Sequence, residues 1–188
     1  ERLLEKDDPL KIINENIIPA LNETGEKFEK KEAFLPQLLM SAEAAKEAFE
    51  VIKKSILSKG GERKKRCKFV IATVKGDIHD IGKNIVKVLL ENYDFDVIDL
   101  GKDVEAKLIA DTVLKEGAPI AGLSALMTTT LPAMEETIKL LRENSPGCKI
   151  VVGGAVLTEE YAAAIGADKY AKDAMATVRY AESIIKSK

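Results

Sequence analysis

The chain holds one histidine, His79, two residues after Asp77 and three before Gly82. An imidazole can ligate a metal through one ring nitrogen while a nearby carboxylate orients it through the other. The run Lys75-Gly76-Asp77-Ile78-His79-Asp80-Ile81-Gly82-Lys83-Asn84 follows an apolar stretch, Phe69 to Val74, that reads as a buried strand. Ile85, Val86, Val88, Leu89 and Leu90 then have the spacing of a helix face. His79 is therefore expected in a loop at the carboxyl end of a strand, where open α/β sheets bind ligands. By residue type alone, a lone loop histidine also suits a solvated side chain or a turn. Asp77 and Asp80 equally suit turn and helix-cap positions.

Three further stretches offer polar groups or close backbone approach. Gly122 to Thr130 contains four hydroxyls: Ser124, Thr128, Thr129 and Thr130. One of them would suit a helix cap, since Pro132 fits a first helical turn. The others offer donors and acceptors to a polar ligand. Gly153-Gly154-Ala155 would let a ligand approach the backbone, although turns use the same residues. Tyr170-Ala171-Lys172 lies where a strand gives way to the last helix. Cys67 and Cys148 form no Cys-x-x-Cys pair, and one histidine permits no zinc-finger spacing. They are expected to be reduced thiols that pack at strand starts, in a cytoplasmic protein.

These loops need a sheet to gather them. Strand patterns fall at 68–74, 95–100, 119–123, 148–152 and 168–171, with helical patterns at 82–92, 104–116, 131–144, 158–165 and 174–186. Such alternation implies a parallel five-stranded α/β sheet covered on both faces, in a flavodoxin-like (Rossmann-like) doubly wound order. Residues 1–58 read instead as a small helical domain. Pro9 suits a helix start, and Leu10, Ile13, Ile17 and Leu21 form one stripe that Pro19 should kink. A second helix is expected from Leu35 to Leu57, with Glu1 to Glu5 as the tail of an earlier one. This layer is expected to be cut at its N-terminus or to lean on the second domain. The chain opens on Glu1, as a piece of a longer protein would. Residues 59–66, with paired glycines and a charge run, read as a solvated linker, and residues 67–188 as the α/β domain.

Bulk properties narrow the partners. With 188 residues, net charge −2 and 32% charged residues, the chain has no electrostatic reason to bind nucleic acid or an anionic membrane. The basic cluster at Arg63 to Arg66 lacks interleaved aromatics, and no apolar run could span a bilayer.

Asp-x-His-x-x-Gly, here Asp77, His79 and Gly82, resembles the signature of cobalamin-binding domains. The longer run Thr73 to Val86 is similar to cobalamin-dependent methionine synthase and its corrinoid-protein relatives. The resemblance implies that His79 ligates cobalt, that Asp77 holds the other ring nitrogen, and that Thr130 takes a relay position where methionine synthases often carry serine. It extends cofactor binding to Gly76, Ile78, Asp80, Ile81 and Gly82. It likens Ser124-Ala125-Leu126 and Gly153-Gly154 to elements lining a slot for the dimethylbenzimidazole tail, with Thr128, Ala155, Tyr170 and Ala171 beside them. The helical half resembles a cap in which Phe28, Leu35 and Leu38 cover the methyl-bearing face of methylcobalamin; by residue pattern alone they are equally ordinary core. Such a cap must move aside for substrates, with Gly60-Gly61 as the natural hinge.

The resemblance therefore implies a cobalamin-binding module of methionine synthase, carrying methyl from methyltetrahydrofolate to homocysteine. Donor and acceptor would bind other domains or separate methyltransferase subunits, so the module is a carrier and not a complete catalyst. One alternative is a free-standing corrinoid protein of a methanol, methylamine or O-demethylase system. Another, of a different class, is a flavodoxin- or receiver-like signalling domain with Asp77 or Asp80 as acceptor.

Overall fold

A computed structural model describes residues 3–4, 6–58 and 67–186. The chain divides into two compact units, Glu1–Glu62 and Arg63–Lys188. The expected linker, with its Gly60-Gly61 hinge, lies outside the described residues.

The first unit is helical. α1 (Pro9–Ile12) runs through a π-helical turn (Ile13–Ile17) into α2 (Ile18–Glu29), and α3 (Leu35–Ser58) returns along it. Pro19 has no N–H, and its ring crowds the carbonyl four residues back. The chain widens just upstream: the Ile18 N–H donates to the Ile13 carbonyl, five residues back. Lys31, at φ 61°, ends the hairpin's first arm. The Gln37 side chain accepts from the Phe34 N–H at 2.7 Å, satisfying one donor at the start of α3. Ala45, Phe49 and Ile52 follow the i, i+4, i+7 spacing and are buried with Ile12 and Ile13. Of the earlier helix expected before residue 6, the described part is one turn, with Lys6 and Asp7 donating to the Leu3 carbonyl.

The second unit is a doubly wound sheet. Its elements run β1 (Lys68–Thr73), α4 (Ile81–Asn92), β2 (Asp96–Asp99), α5 (Ala106–Glu116), β3 (Ile120–Ser124), a 3-10 turn (Thr128–Thr130), α6 (Leu131–Asn144), β4 (Lys149–Gly153), α7 (Glu159–Ala164), β5 (Lys169–Tyr170) and α8 (Ala174–Lys186). The five strands are parallel in the order β2-β1-β3-β4-β5, the flavodoxin-like order. Element ends differ from the sequence patterns by one or two residues, the usual fraying of boundaries. β1 and β3 are buried on both faces because helices cover both sides. Gly122 in β3 makes room for the Phe69 ring, which would lie 2.7 Å from a Cβ at that position. The strand order reverses between β1 and β3, so the loops at their carboxyl ends diverge to opposite faces and leave a crevice on that edge.

Candidate functional site

The loop between β1 and α4 begins with a turn. The Asp77 N–H donates back to the Val74 carbonyl at 3.1 Å, and Gly76 takes φ 83°. A left-handed residue is needed here, and glycine adopts it without steric cost. The turn drives the Asp77 side chain inward, where it is fully buried. Its Oδ1 meets His79 Nδ1 at 2.7 Å and accepts from the His79 backbone N–H at 3.0 Å. Its Oδ2 accepts from Leu126 N at 2.6 Å, Met127 N at 3.3 Å and Thr130 Oγ1 at 3.1 Å. Burial alone would raise the Asp77 pKa, but these donors outweigh it and hold the carboxyl below its ordinary value of 3.8. Beside an ionised Asp77, Nδ1 is the ring nitrogen that donates; a neutral ring then keeps its lone pair on Nε2, which has no hydrogen-bond partner among the described residues. The imidazole is 47% exposed.

Thr130 sits at the N-cap of α6, yet its side chain makes no cap bond. Its hydroxyl lies between two acceptors, Asp77 Oδ2 and the Met127 carbonyl at 2.8 Å. One proton serves one acceptor at a time, so this hydroxyl can follow the charge on Asp77. Asp80 precedes α4 and also makes no side-chain cap bond. The cap role open to it from its residue type is not taken.

Around this centre Gly76, Ile78, Ile81 and Gly82 come from the same loop and the first turn of α4. Ser124 ends β3, and its carbonyl accepts from Val74 N at 3.1 Å, which ties the two loops. Leu126 and Thr128 are exposed beside the Asp77 carboxylate. On the far side, Ala125 N donates to the Gly153 carbonyl at 3.1 Å. Gly154, at φ 145°, packs so closely that a Cβ would overlap the Ala125 carbonyl. Ala155 is exposed after it, Tyr170 is half-buried in β5, and Ala171 is buried with its N–H on the Val152 carbonyl. In the helical unit Phe28 is exposed and Leu38 half-buried; the Leu35 side chain lies outside the described residues.

Sequence reasoning missed three contributors. Met127 is exposed next to Leu126, and with Ile78 they form an apolar rim beside His79, exposed by 39%, 41% and 63%. Lys83, one residue past Gly82, is buried. Its Nζ reaches Asp99 Oδ1 at 2.7 Å and Asn84 Oδ1 at 2.8 Å. Asp99 also takes Lys87 Nζ at 3.3 Å and Gly101 N at 2.9 Å, so α4 is anchored to the end of β2. Asp103 grips the Gly76 turn from the loop after β2. No local pattern marks Lys83 as buried, because lysine is ordinarily a surface residue.

A B12 binding domain family matches residues 67–179, and a second B12 binding domain family matches residues 1–53. The chain belongs to the B12-binding family. Among B12-binding relatives, a dimethylamine corrinoid protein of Methanosarcina acetivorans is 39% identical over 95% of this chain and 84% of its own length. The monomethylamine corrinoid protein of Methanosarcina barkeri has a similar structure: TM-score 0.88, 30% identity, covering 97% of this chain and 86% of that one. The methanol:cobalamin methyltransferase complex MtaBC of Methanosarcina barkeri matches with TM-score 0.65 and 30% identity, over 99% of this chain and 71% of that one.

The cofactor of this B12-binding chain is cobalamin, and the residues at the sheet edge suit it. No group of three or more His, Cys, Asp or Glu side chains gathers to hold a bare ion among the described residues. A single imidazole with a free Nε2 suits a metal that brings its own equatorial nitrogens. The exposed apolar side chains of Ile78, Leu126 and Met127 suit a broad macrocycle, and Gly154 lets the loop after β4 close directly on the Ala125 carbonyl. Among the described residues no helix is long and apolar enough to cross a membrane.

Proposed function

We propose that this chain is the methyl-carrying corrinoid subunit of a methylamine methyltransferase system, working with separate methyltransferase chains. The observation that carries the reading is the His79 imidazole, oriented through Nδ1 by a buried, ionised Asp77 with Nε2 left open. The names of the relatives supply the substrate class. They favour the free-standing corrinoid alternative over methionine synthase, and methionine biosynthesis has no support among them.

In this reading His79 Nε2 would ligate the cobalt of bound cobalamin. Bound cobalamin supplies a cobalt centre that accepts and releases a methyl group. Asp77, bonded to Nδ1, would keep the imidazole directed at the metal. Thr130, with its hydroxyl between Asp77 Oδ2 and the Met127 carbonyl, would help fix the Asp77 carboxylate. Ser124, Leu126, Thr128, Gly153, Gly154, Ala155, Tyr170 and Ala171 line the slot for the cofactor's tail; Gly76, Ile78, Asp80, Ile81 and Gly82 frame the ligand loop. Phe28, Leu35 and Leu38 are proposed as apolar cover for the methyl face, where exclusion of water protects a reactive centre.

The test has two stages. His79→Ala should retain cobalamin through the tail slot but lose the histidine-ligated methylcobalamin spectrum at neutral pH. A spectrum equal to wild type would sink the ligand assignment. The loaded, reduced wild type is then incubated with mono-, di- or trimethylamine and the matching methyltransferase. One amine should methylate it; methylation only from methyltetrahydrofolate, with a folate-binding methyltransferase domain added, would return the reading to methionine synthase. A chain left colourless by cobalamin would favour the receiver-like alternative.

A further inference from the structure

The residue that aims the imidazole is itself held from outside its own loop. Beyond β2 the chain turns back through residues 100–105, and Asp103 takes φ 55°, a left-handed conformation that Asp tolerates better than most side chains. From there its backbone N–H donates to the Asp77 carbonyl at 3.0 Å, while its carboxylate Oδ1 accepts from the Gly76 N–H at 2.8 Å. Next to it Val104 N donates to the Thr73 carbonyl, and Val104 bridges Val74 in parallel register. Asp103 thus holds both ends of the Gly76-Asp77 dipeptide, the Gly76 N–H and the Asp77 carbonyl. Lys75 Nζ lies 3.5 Å from the same carboxylate and 2.9 Å from Glu105, closing the bracket with exposed charge.

We propose that Asp103 is a positioning residue for His79: by clamping the Gly76-Asp77 peptide it sets where the Asp77 carboxylate stands, and therefore where Nε2 points. This inference rests on the corrinoid reading for its purpose but not for its geometry. The His79 ring has one described hydrogen-bond partner, Asp77 Oδ1, so any drift of Asp77 passes to the ring. Asp103 is exposed, and its loss leaves the buried bonds from Leu126 and Thr130 to Asp77 in place. The loop loosens while the core persists. Asn at 103 keeps an acceptor oxygen and tolerates the left-handed backbone; Gly keeps the backbone and removes the acceptor.

Because the chain has one histidine, its imidazole is the sole source of histidine ring signals in a 15N–1H correlation spectrum. The apo chain is compared at pH 8 as wild type, Asp103→Asn and Asp103→Gly, with thermal melting alongside. Wild type and Asp103→Asn should show one Nδ1-protonated tautomer. Asp103→Gly should show a mixture, with its melting temperature within a few degrees of wild type. After loading with cobalamin, the histidine-ligated fraction of Asp103→Gly should fall at least twofold. A single wild-type tautomer in Asp103→Gly would overturn the proposal, as would equal mixing in Asp103→Asn. Should Asp103→Gly fail to fold, hydrogen exchange of the wild-type Gly76 amide decides: protection supports the clamp and free exchange overturns it. Failure of wild type to take up cobalamin would sink the corrinoid reading, and the apo spectra would still judge Asp103.

Discussion

Asp77 does two jobs with one carboxylate. Its Oδ1 aims the imidazole, and its Oδ2 collects two loop amides and a threonine hydroxyl. A buried carboxylate with this many donors stays ionised, which is what gives the imidazole a defined tautomer. The linkage sign follows. The folded-state pKa lies below the ordinary 3.8, so the unfolded chain binds the proton more readily. Asp77 therefore stabilises the fold fully above its unfolded value, and that contribution is lost as pH falls through the lowered folded value. Asp77→Asn presents an amide N–H₂ to donors that need an acceptor, and should cost about 2 kcal/mol at pH 7. Urea midpoints of wild type and Asp77→Asn should converge as pH falls below 3.8. A gap that persisted under acid would show that the carboxylate's charge is not what holds these loops.

At the scale of elements, two contacts place the site. Lys83 and Asp99 lock the first turns of α4 to the end of β2 with a buried ion pair. Losing one partner of a buried pair costs about 3–5 kcal/mol when the other is left alone. Asp99 retains Lys87 and the Gly101 amide, so Lys83→Met should cost less, about 2 kcal/mol by urea unfolding. An unchanged midpoint would mean that packing, not the ion pair, seats α4. The second contact joins the loops after β3 and β4, where Gly154 lies against the Ala125 carbonyl at a left-handed φ. Ala at 154 must displace the Ala125–Leu126 backbone, and with it a donor to Asp77. We expect Gly154→Ala to lose about 3 kcal/mol of stability, within the range for backbone strain, and to retain less cobalamin on gel filtration. Full retention would place the tail slot elsewhere.

For the whole molecule, the two units differ in what each can bury. The α/β unit has a core drawn from β1, β3, β4 and the helices packed on them, including Val70, Ile109, Ile120, Met134, Leu141 and Ile150. Among the described residues the helical unit buries Ile12, Ile13, Ala33, Ala45, Phe49 and Ile52, in about 60 residues, near the size at which isolated domains become marginal. Residues 63–188 expressed alone should melt cooperatively by circular dichroism. Residues 1–62 alone should melt broadly or not at all. A sharp transition in the helical fragment and none in the α/β fragment would reverse this division.

Local patterning determined most of the architecture. Apolar runs and helix-face spacing are properties of short windows, so the alternation from Cys67 onward, the parallel sheet and the loop bearing His79 could be read without coordinates. The motif around Asp77, His79 and Gly82 likewise lies within one loop, and its resemblance pointed to cobalamin. The tertiary structure decided what meets that loop. Thr130 is 53 residues from Asp77, Asp103 is 27 from Gly76, and Asp99 is 16 from Lys83. Each pairing depends on strand order and register, which set loops from distant segments side by side and which no short window encodes. The burial of Lys83 and the bracket at Asp103 belong to that second class: their residue types suggest surface, and only the packed sheet supplies their partners.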